Sequence, residues 1–140
     1  MRRELLHQVK RVVLKVGSRV LTVDDGSLDL GVIGRLCDEM ALLRQQGLEV
    51  ILVSSGAVAA GRVVVRTHEQ APLTIPQKQA AAAIGQPLLM QAYQQACIRH
   101  GLVTAQILLT ADDLANRRRF MNARTPLRAP VGAGAPPVRQ

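Results

Sequence analysis

The sequence predicts an α/β domain, an incomplete three-layer α-β-α sandwich around a mostly parallel sheet. Three short apolar runs with the composition of buried strands alternate with segments of helical periodicity. The third run is again followed by a helical segment. Strands that alternate with helices in this way join into a parallel sheet through right-handed crossovers.

The three strand candidates are rich in aliphatic residues and end near polar or glycine-containing turns. They are residues 11–16 (RVVLKV), 50–53 (VILV) and 102–109 (LVTAQILL). The first candidate is followed by Gly17 and Ser18, and the second by Ser54-Ser55-Gly56. Short apolar runs bounded by such turns are typical of strands buried on both faces.

The first long helix is predicted between the first two strands. Residues 28–46 place apolar side chains at helical spacing, with Asp29 as the N-cap and Gly47 just beyond the C-terminus. A short helix is expected after Gly56. Residues 63–75 show no period and predict a loop.

A second long helical segment is predicted to begin near Pro76 and to stop at Gly101. Gly85 and Pro87 interrupt this segment, so we expect the helix to bend or break there. After the third strand, Thr110 and Asp113 have capping-box spacing and predict a further helix.

The basic charge is concentrated near the end of the sequence. The formal net charge is +8, but residues 1–113 contribute only +2, whereas residues 114–140 hold six arginines and no acid. Residues 125–140 also contain four prolines, which disfavour a long helix or a central strand. We therefore expect one domain part over residues 1–124 and an irregular Pro/Gly/Arg-rich tail over 125–140.

Composition disfavours several classes of protein. Tyr93 and Phe120 are the only aromatic residues, which disfavours a module that stacks nucleic-acid bases on several aromatic rings. Cys37 and Cys97 stand alone, which disfavours a disulfide framework or a zinc site, and both are predicted core residues. Neither a signal peptide nor an apolar run of about 18 residues occurs, and the expected compartment is the cytoplasm.

Two polar clusters fall at predicted carboxyl ends of strands, where open α/β sheets bind ligands. Lys15 precedes Gly17 and Ser18, while Ser55 and Gly56 come at the start of a helix. A lysine ammonium, the N–H groups of a glycine turn and a helix N-terminus together suit a phosphate or a carboxylate. The sequence therefore predicts an anion site at this sheet edge, although each feature alone is more typical of a solvated lysine or an ordinary helix cap.

Four sequence blocks, in this order, form a pattern shared with a known family. They are residues 12–18 (VVLKVGS), 52–62 (LVSSGAVAAGR), 78–90 (KQAAAAIGQPLLM) and 105–124 (AQILLTADDLANRRRFMNAR). Together they resemble the N-terminal, substrate-side part of the glutamate kinases of the amino acid kinase family. The resemblance covers roughly residues 10–124. Beyond residue 124 the sequence departs from the family pattern, and this departure resembles that of a truncated or frame-shifted sequence.

The resemblance implies phosphorylation of the side-chain carboxylate of L-glutamate by ATP with Mg²⁺, giving glutamyl 5-phosphate in the first step of proline biosynthesis. It implies that Lys15 is catalytic and neutralises the ATP phosphates, that Gly17 and Ser18 contact the nucleotide, and that Ser55 and Gly56 bind glutamate. No residue is assigned to a metal. A homo-oligomer is implied for the full-length enzyme, and this chain is expected to be an inactive fragment.

Three alternatives stay open at this point. The chain resembles, less closely, kinases that act on other carboxylates. It also fits a non-catalytic module whose basic tail binds nucleic acid or an acidic partner, with affinity that falls steeply with salt. Finally, a parallel sheet with an unpaired edge and an uncovered apolar face predicts a poorly soluble or self-associating chain.

Overall fold

The chain folds into a parallel sheet with helices packed against it. The computed structural model describes residues 9–65, 72–108, 115–119, 121–122 and 137–139. The elements are β1 (Arg11–Val16), α1 (Ser18–Leu21), α2 (Leu30–Gln45), β2 (Glu49–Ser54), α3 (Ala57–Val65), α4 (Ile75–Ile98), β3 (Ala105–Ile107) and β4 (Pro137–Arg139). The strand order is β1-β2-β4-β3, and these strands pair in parallel. The predicted α/β class with a parallel sheet is confirmed.

The two long strands lie where the sequence predicts them. β1 spans the expected residues, and β2 is one residue longer at each end than predicted. Arg11 lies opposite Glu49 in the register, and its Nε donates a hydrogen bond to Glu49 Oε2 at 2.6 Å. Such an exposed ion pair adds at most about 1 kcal/mol, so burial of the apolar strand residues dominates this pairing. The third predicted strand is shorter than expected, since β3 has only three residues.

Helix α2 begins and ends as its capping residues predict. The Asp29 Oδ1 accepts a hydrogen bond from the Val32 N–H at 2.9 Å, which satisfies a donor of the first turn. At the other end, Gly47 has φ +82°, a conformation that glycine adopts without a Cβ clash. Its N–H donates to the Arg44 carbonyl, and the next N–H donates to the Leu43 carbonyl. These are the two bonds of a Schellman motif.

The predicted loop over residues 63–75 is wrong at its start and confirmed at residues 72–74, and the predicted break in the following helix does not occur. α3 continues to Val65, into the stretch expected to be a loop, while residues 66–71 lie outside the described part. α4 runs as one helix through Gly85 and Pro87. Pro87 is exposed, so its ring lies away from the core, and α4 is held along its length by packing against other helices. Tertiary packing therefore overrides the local helix-breaking tendency.

The core lies between one face of the sheet and the helices α2 and α4. Val50 and Leu52 of β2 point to this face together with Val16 of β1, as the alternation of side chains along paired strands requires. The buried cluster comprises Val16, Leu21, Ile33, Cys37, Met40, Val50, Leu52, Leu89, Ala92, Tyr93 and Cys97. On the opposite face, Val13 is 59% exposed.

The proline-rich stretch contains a strand, which corrects the expectation that no central strand occurs there. β4 lies between β2 and β3 and pairs in parallel with both. Pro137 is its first residue, a position where a missing N–H is tolerated in a sheet. Residues 125–136 and the predicted cap residues Thr110 and Asp113 lie outside the described part of the chain. Beyond β3, the described residues 117–119 and 121–122 are helical.

Helices α3 and α4 approach each other backbone to backbone. A Cβ atom added at Gly61 of α3 would overlap the carbonyl oxygen of Ala81 in α4. A Cβ atom added at Gly85 of α4 would overlap the carbonyl oxygen of Ala57 in α3. Because both obstacles are backbone atoms, neither can rotate away, and both positions require glycine.

We predict that Gly61→Ala lowers the free energy of unfolding by about 2–3 kcal/mol, despite the roughly 1 kcal/mol advantage of alanine inside a helix. Chemical denaturation followed by circular dichroism measures this. Gly17→Ala is the control, because Gly17 has φ −79° and open space around the position of a Cβ. Equal stability of the Gly61→Ala variant and the parent chain would show that the helices do not need this close contact.

Candidate functional site

The two polar clusters that the sequence singled out lie side by side at one edge of the sheet. Val16 at the end of β1 is the register partner of Ser54 at the end of β2. The Ser55 N–H donates a hydrogen bond to the Val16 carbonyl at 3.1 Å. The parallel pairing therefore brings the segment after Lys15 next to the segment that opens α3, as predicted.

A cleft of about 830 Å³ opens at this edge. Three of the predicted site residues, Ser18, Ser55 and Gly56, line it, and Lys15 and Gly17 are not among the lining residues. Lys15 is exposed, and strand alternation places it on the face of the sheet opposite to Val16 and Ser54. The complete lining consists of Ser18, Asp25, Gly26, Ser54, Ser55, Gly56, Ala57, Val58, Ala59, Arg62 and Val63.

The first turn of α3 presents backbone donors to the cleft. Ala57, Val58 and Ala59 line the cleft, and the first helical bond of this segment runs from the Ala60 N–H to the Gly56 carbonyl at 2.8 Å. The N–H groups before this bond have no acceptor within the helix. Together with the positive end of the helix dipole they favour an anion at this position.

A buried hydrogen bond fixes the floor of the cleft. The Ser54 hydroxyl and the Tyr93 hydroxyl lie 2.9 Å apart, and both side chains are buried. Burial raises the pKa of Tyr93 to about 12, because the protein interior disfavours the phenolate. The sequence analysis missed this pair. The available signal was a lone tyrosine on the apolar face of a helix, since a buried phenol needs a hydrogen-bond partner.

Two charged residues of opposite sign also line the cleft, Asp25 and Arg62. The Asp25 Oδ1 accepts hydrogen bonds from the Ser27 hydroxyl at 2.5 Å and the Ser27 N–H at 2.8 Å. These two bonds lower the pKa of the Asp25 carboxyl. Asp25 lies in a turn, and the sequence pattern does not indicate its place in the cleft. Arg62 follows Val58 by one helical turn, a spacing that points both residues to the same side.

Several other reactive or charged residues do not line the cleft. Cys37 and Cys97 are buried in the core, as predicted. His100 contacts the Asp38 carboxylate, with 2.7 Å between Nε2 and Oδ1. Arg117, Arg118 and Arg119 are all exposed. None of the helices in the described part of the chain combines the length and the apolar run that a membrane span needs.

Comparison with known proteins identifies the family of this chain. A model of the amino acid kinase family matches residues 10–138. The chain belongs to the amino acid kinase family. The match continues beyond residue 124, where the sequence analysis placed the end of the resemblance, and it includes the first two residues of β4.

Several relatives within the amino acid kinase family carry the name glutamate 5-kinase. The protein of that name from Trichlorobacter lovleyi is 76% identical over 138 residues, and the one from Pelobacter propionicus is 59% identical over 138 residues. The protein from Thermus thermophilus is 52% identical over 129 residues. These alignments cover 99%, 99% and 92% of this chain but only 36%, 37% and 34% of the relatives. The chain thus spans little more than a third of the length of these curated relatives.

We predict that stability falls between about pH 10 and pH 12 because of Tyr93. In this window the unfolded tyrosine loses its proton while the folded one keeps it, so the unfolded state binds fewer protons and gains stability as the pH rises. The difference between the pKa of Tyr93 in the folded and the unfolded chain corresponds to about 2–3 kcal/mol of the free energy of unfolding.

The Tyr93→Phe variant should lack this part of the pH dependence in denaturant unfolding curves. Tyr93 is the only tyrosine and the chain has no tryptophan, so tyrosinate absorbance also reports its titration directly. The midpoint should lie near pH 12 in the folded chain and near pH 10 in denaturant. Equal midpoints in the two states would contradict burial of this hydroxyl against Ser54.

Proposed function

We propose that this chain forms the substrate-side part of an ATP-dependent kinase that phosphorylates the side-chain carboxylate of L-glutamate to glutamyl 5-phosphate. The observation that carries the proposal is the cleft at the end of β2, where Ser55, Gly56 and the first turn of α3 meet. The name shared by the relatives from Trichlorobacter lovleyi and Pelobacter propionicus supports it.

The cleft suits an amino acid that carries carboxylates. The N–H groups at the start of α3 are donors, and so is the Ser55 hydroxyl, whose bond to the Val16 carbonyl is long at 3.5 Å. A carboxylate accepts several such hydrogen bonds. Arg62 adds a positive charge on the same wall, and Asp25 adds a negative charge that matches a substrate ammonium group. Glutamate carries carboxylates and an ammonium group, whereas inorganic phosphate carries only anionic oxygens. The charge pattern of the lining therefore favours an amino acid over a simple anion.

Lys15, Gly17 and Ser18 suit the phosphates of ATP. Lys15 is exposed at the same sheet edge as the cleft, so its flexible side chain is available to a phosphoryl group that approaches from outside. A Cβ at Gly17 would meet no atom within 4 Å, so the backbone there is open to close approach by a ligand. Phosphoryl transfer depends mainly on positioning and on neutralising charge, and these residues supply both.

Magnesium belongs to this proposal as a companion of ATP. In the described part of the chain, no group of three or more His, Cys, Asp or Glu side chains is arranged to hold a metal ion. Mg²⁺ commonly keeps several waters and binds substrate phosphates with few protein ligands, so phosphate oxygens would be its main partners here. When bound, it neutralises phosphate charge. The proposal further includes the first step of proline biosynthesis, a cytoplasmic location and a homo-oligomeric full-length enzyme.

A chimera tests the activity of this segment. Residues 1–138 replace the corresponding segment of the Trichlorobacter lovleyi glutamate 5-kinase, which is 76% identical to this chain over 138 residues. The chimera is expected to form acyl phosphate from ATP and glutamate, trapped with hydroxylamine, at a rate within about tenfold of the intact relative. Aspartate and acetylglutamate are the comparison substrates. A folded chimera that prefers acetylglutamate, or that turns over none of the three, would refute the proposal.

We predict that Lys15→Ala in this chimera lowers kcat/KM by about 1,000-fold, because a phosphate charge loses its counter-charge in the transition state. Ser55→Ala is expected to raise the KM for glutamate by about 10-fold to 100-fold, the value of one hydrogen bond to a charged group.

Lys10→Ala is the matched control for the lysine variant. Lys10 is also exposed but precedes β1, at the opposite end of the strand from the cleft, and its substitution should leave kcat/KM within about twofold. Activity of Lys15→Ala equal to that of Lys10→Ala would remove Lys15 from the mechanism.

A further inference from the structure

Two thiols on different helices contact each other in the core. The Sγ atoms of Cys37 in α2 and Cys97 in α4 are 3.0 Å apart, and both side chains have 0% exposure. The Cys97 thiol donates to Cys37 Sγ, and the Cys37 thiol donates to the Tyr93 carbonyl at 3.9 Å. These are the only two cysteines in the sequence, and 60 residues separate them, so folding alone brings them together.

This arrangement is close to that of a disulfide. The S–S bond length is about 2.05 Å, so bond formation needs an approach of roughly 1 Å from the present contact. Each cysteine lies on a long helix, and α2 and α4 pack directly against each other. The two sulfurs are therefore held within reach of one another by regular structure on both sides.

The surroundings shift the pKa values of the two thiols in opposite directions. When Cys97 is ionised, the Cys37 thiol turns to donate to the thiolate, and this bond and the nearby Arg99 guanidinium lower the pKa of Cys97, whereas the same bond and burial raise the pKa of Cys37. Arg99 Nη2 donates to the Gly34 carbonyl at 3.0 Å and to Asp38 Oδ1 at 2.7 Å. These bonds anchor the guanidinium on α2, one turn from Cys37.

We propose that Cys37 and Cys97 form an oxidisable dithiol, which a hydroperoxide converts into an intramolecular disulfide between α2 and α4 and which a thiol reductant restores. The sequence predicts both cysteines only as core residues, and the proposed kinase activity does not use them.

The chemistry balances with hydrogen peroxide as the oxidant. Cys97 reacts as the thiolate, and its sulfur attacks one peroxide oxygen and breaks the O–O bond. This gives a sulfenic acid, and the departing hydroxide takes up the proton that Cys97 released. The Cys37 sulfur then attacks the sulfenic sulfur, an S–S bond forms, and the hydroxyl group leaves with the Cys37 proton as water. One dithiol and one peroxide thus give one disulfide and two waters.

Because both thiols are fully buried, a small oxidant reaches them only when the structure opens locally, and the end of α4 is held to α2 by exposed contacts. The groups that join this end to α2 are Asp38, Arg99 and His100, and their contacts are exposed ion pairs and hydrogen bonds. The Asp38 and Arg99 side chains are each about half exposed. Exposed ion pairs are weak, so this junction can open locally without unfolding of the core.

Intact mass and thiol titration of the full 140-residue chain test the proposal. After treatment with hydrogen peroxide in native buffer, we expect a loss of two hydrogen atoms per chain and a fall from two titratable thiols to none. Dithiothreitol should restore both. The step from the sulfenic acid to the disulfide should be at least about tenfold faster in native buffer than in urea at the same pH, because the fold holds the sulfurs in contact.

Single substitutions provide the matched controls. Cys37→Ala and Cys97→Ala each retain one thiol, and neither should show the loss of two hydrogen atoms. Circular dichroism of the oxidised parent should retain its helical signal. Three results would each overturn the proposal: native thiols that react only in urea, addition of oxygen atoms in place of hydrogen loss, or disulfide-linked dimers on non-reducing gels. None of these measurements depends on kinase activity.

Discussion

The close contact of α3 and α4 is the constraint on which the rest of this structure depends. Gly61 and Gly85 let the two helix backbones meet without intervening side chains. This contact holds the start of α3, with its unpaired N–H groups, at the end of β2. It also sets α4 so that Tyr93 and Cys97 enter the core. The wall of the cleft and the packing behind the sheet are thus fixed by one helix crossing.

Features that depend on neighbouring residues in the sequence could be predicted. Both long strands follow from short aliphatic runs, and α2 follows from its apolar period together with Asp29 and Gly47. The meeting of the two polar clusters also follows, since parallel strands end at the same edge. Each of these inferences uses only residues that lie close together in the sequence. The meeting of the clusters also uses the rule that parallel strands end at the same edge of a sheet.

Features that depend on distant partners could not be predicted. Gly85 and Pro87 are local signals for a break in α4, and only the packing against α3 explains why the helix continues. The sequence likewise gives no indication that Ser54 faces Tyr93 or that the two cysteines touch. The prolines of residues 125–140 predict no central strand, but each proline removes only its own N–H donor from a sheet. Because β4 has only three residues and begins at Pro137, the strand forms despite the prolines.

The position of β4 has a consequence for the order of folding. Between β2 and β4 the ribosome adds more than 80 residues, yet β4 lies between β2 and β3 in the sheet. At a synthesis rate of about 5–20 residues per second, β4 is made on the order of several seconds after β2. During synthesis, the inner edges of β2 and β3 therefore present unpaired backbone groups to other strands. Chaperone contact would matter most in that interval.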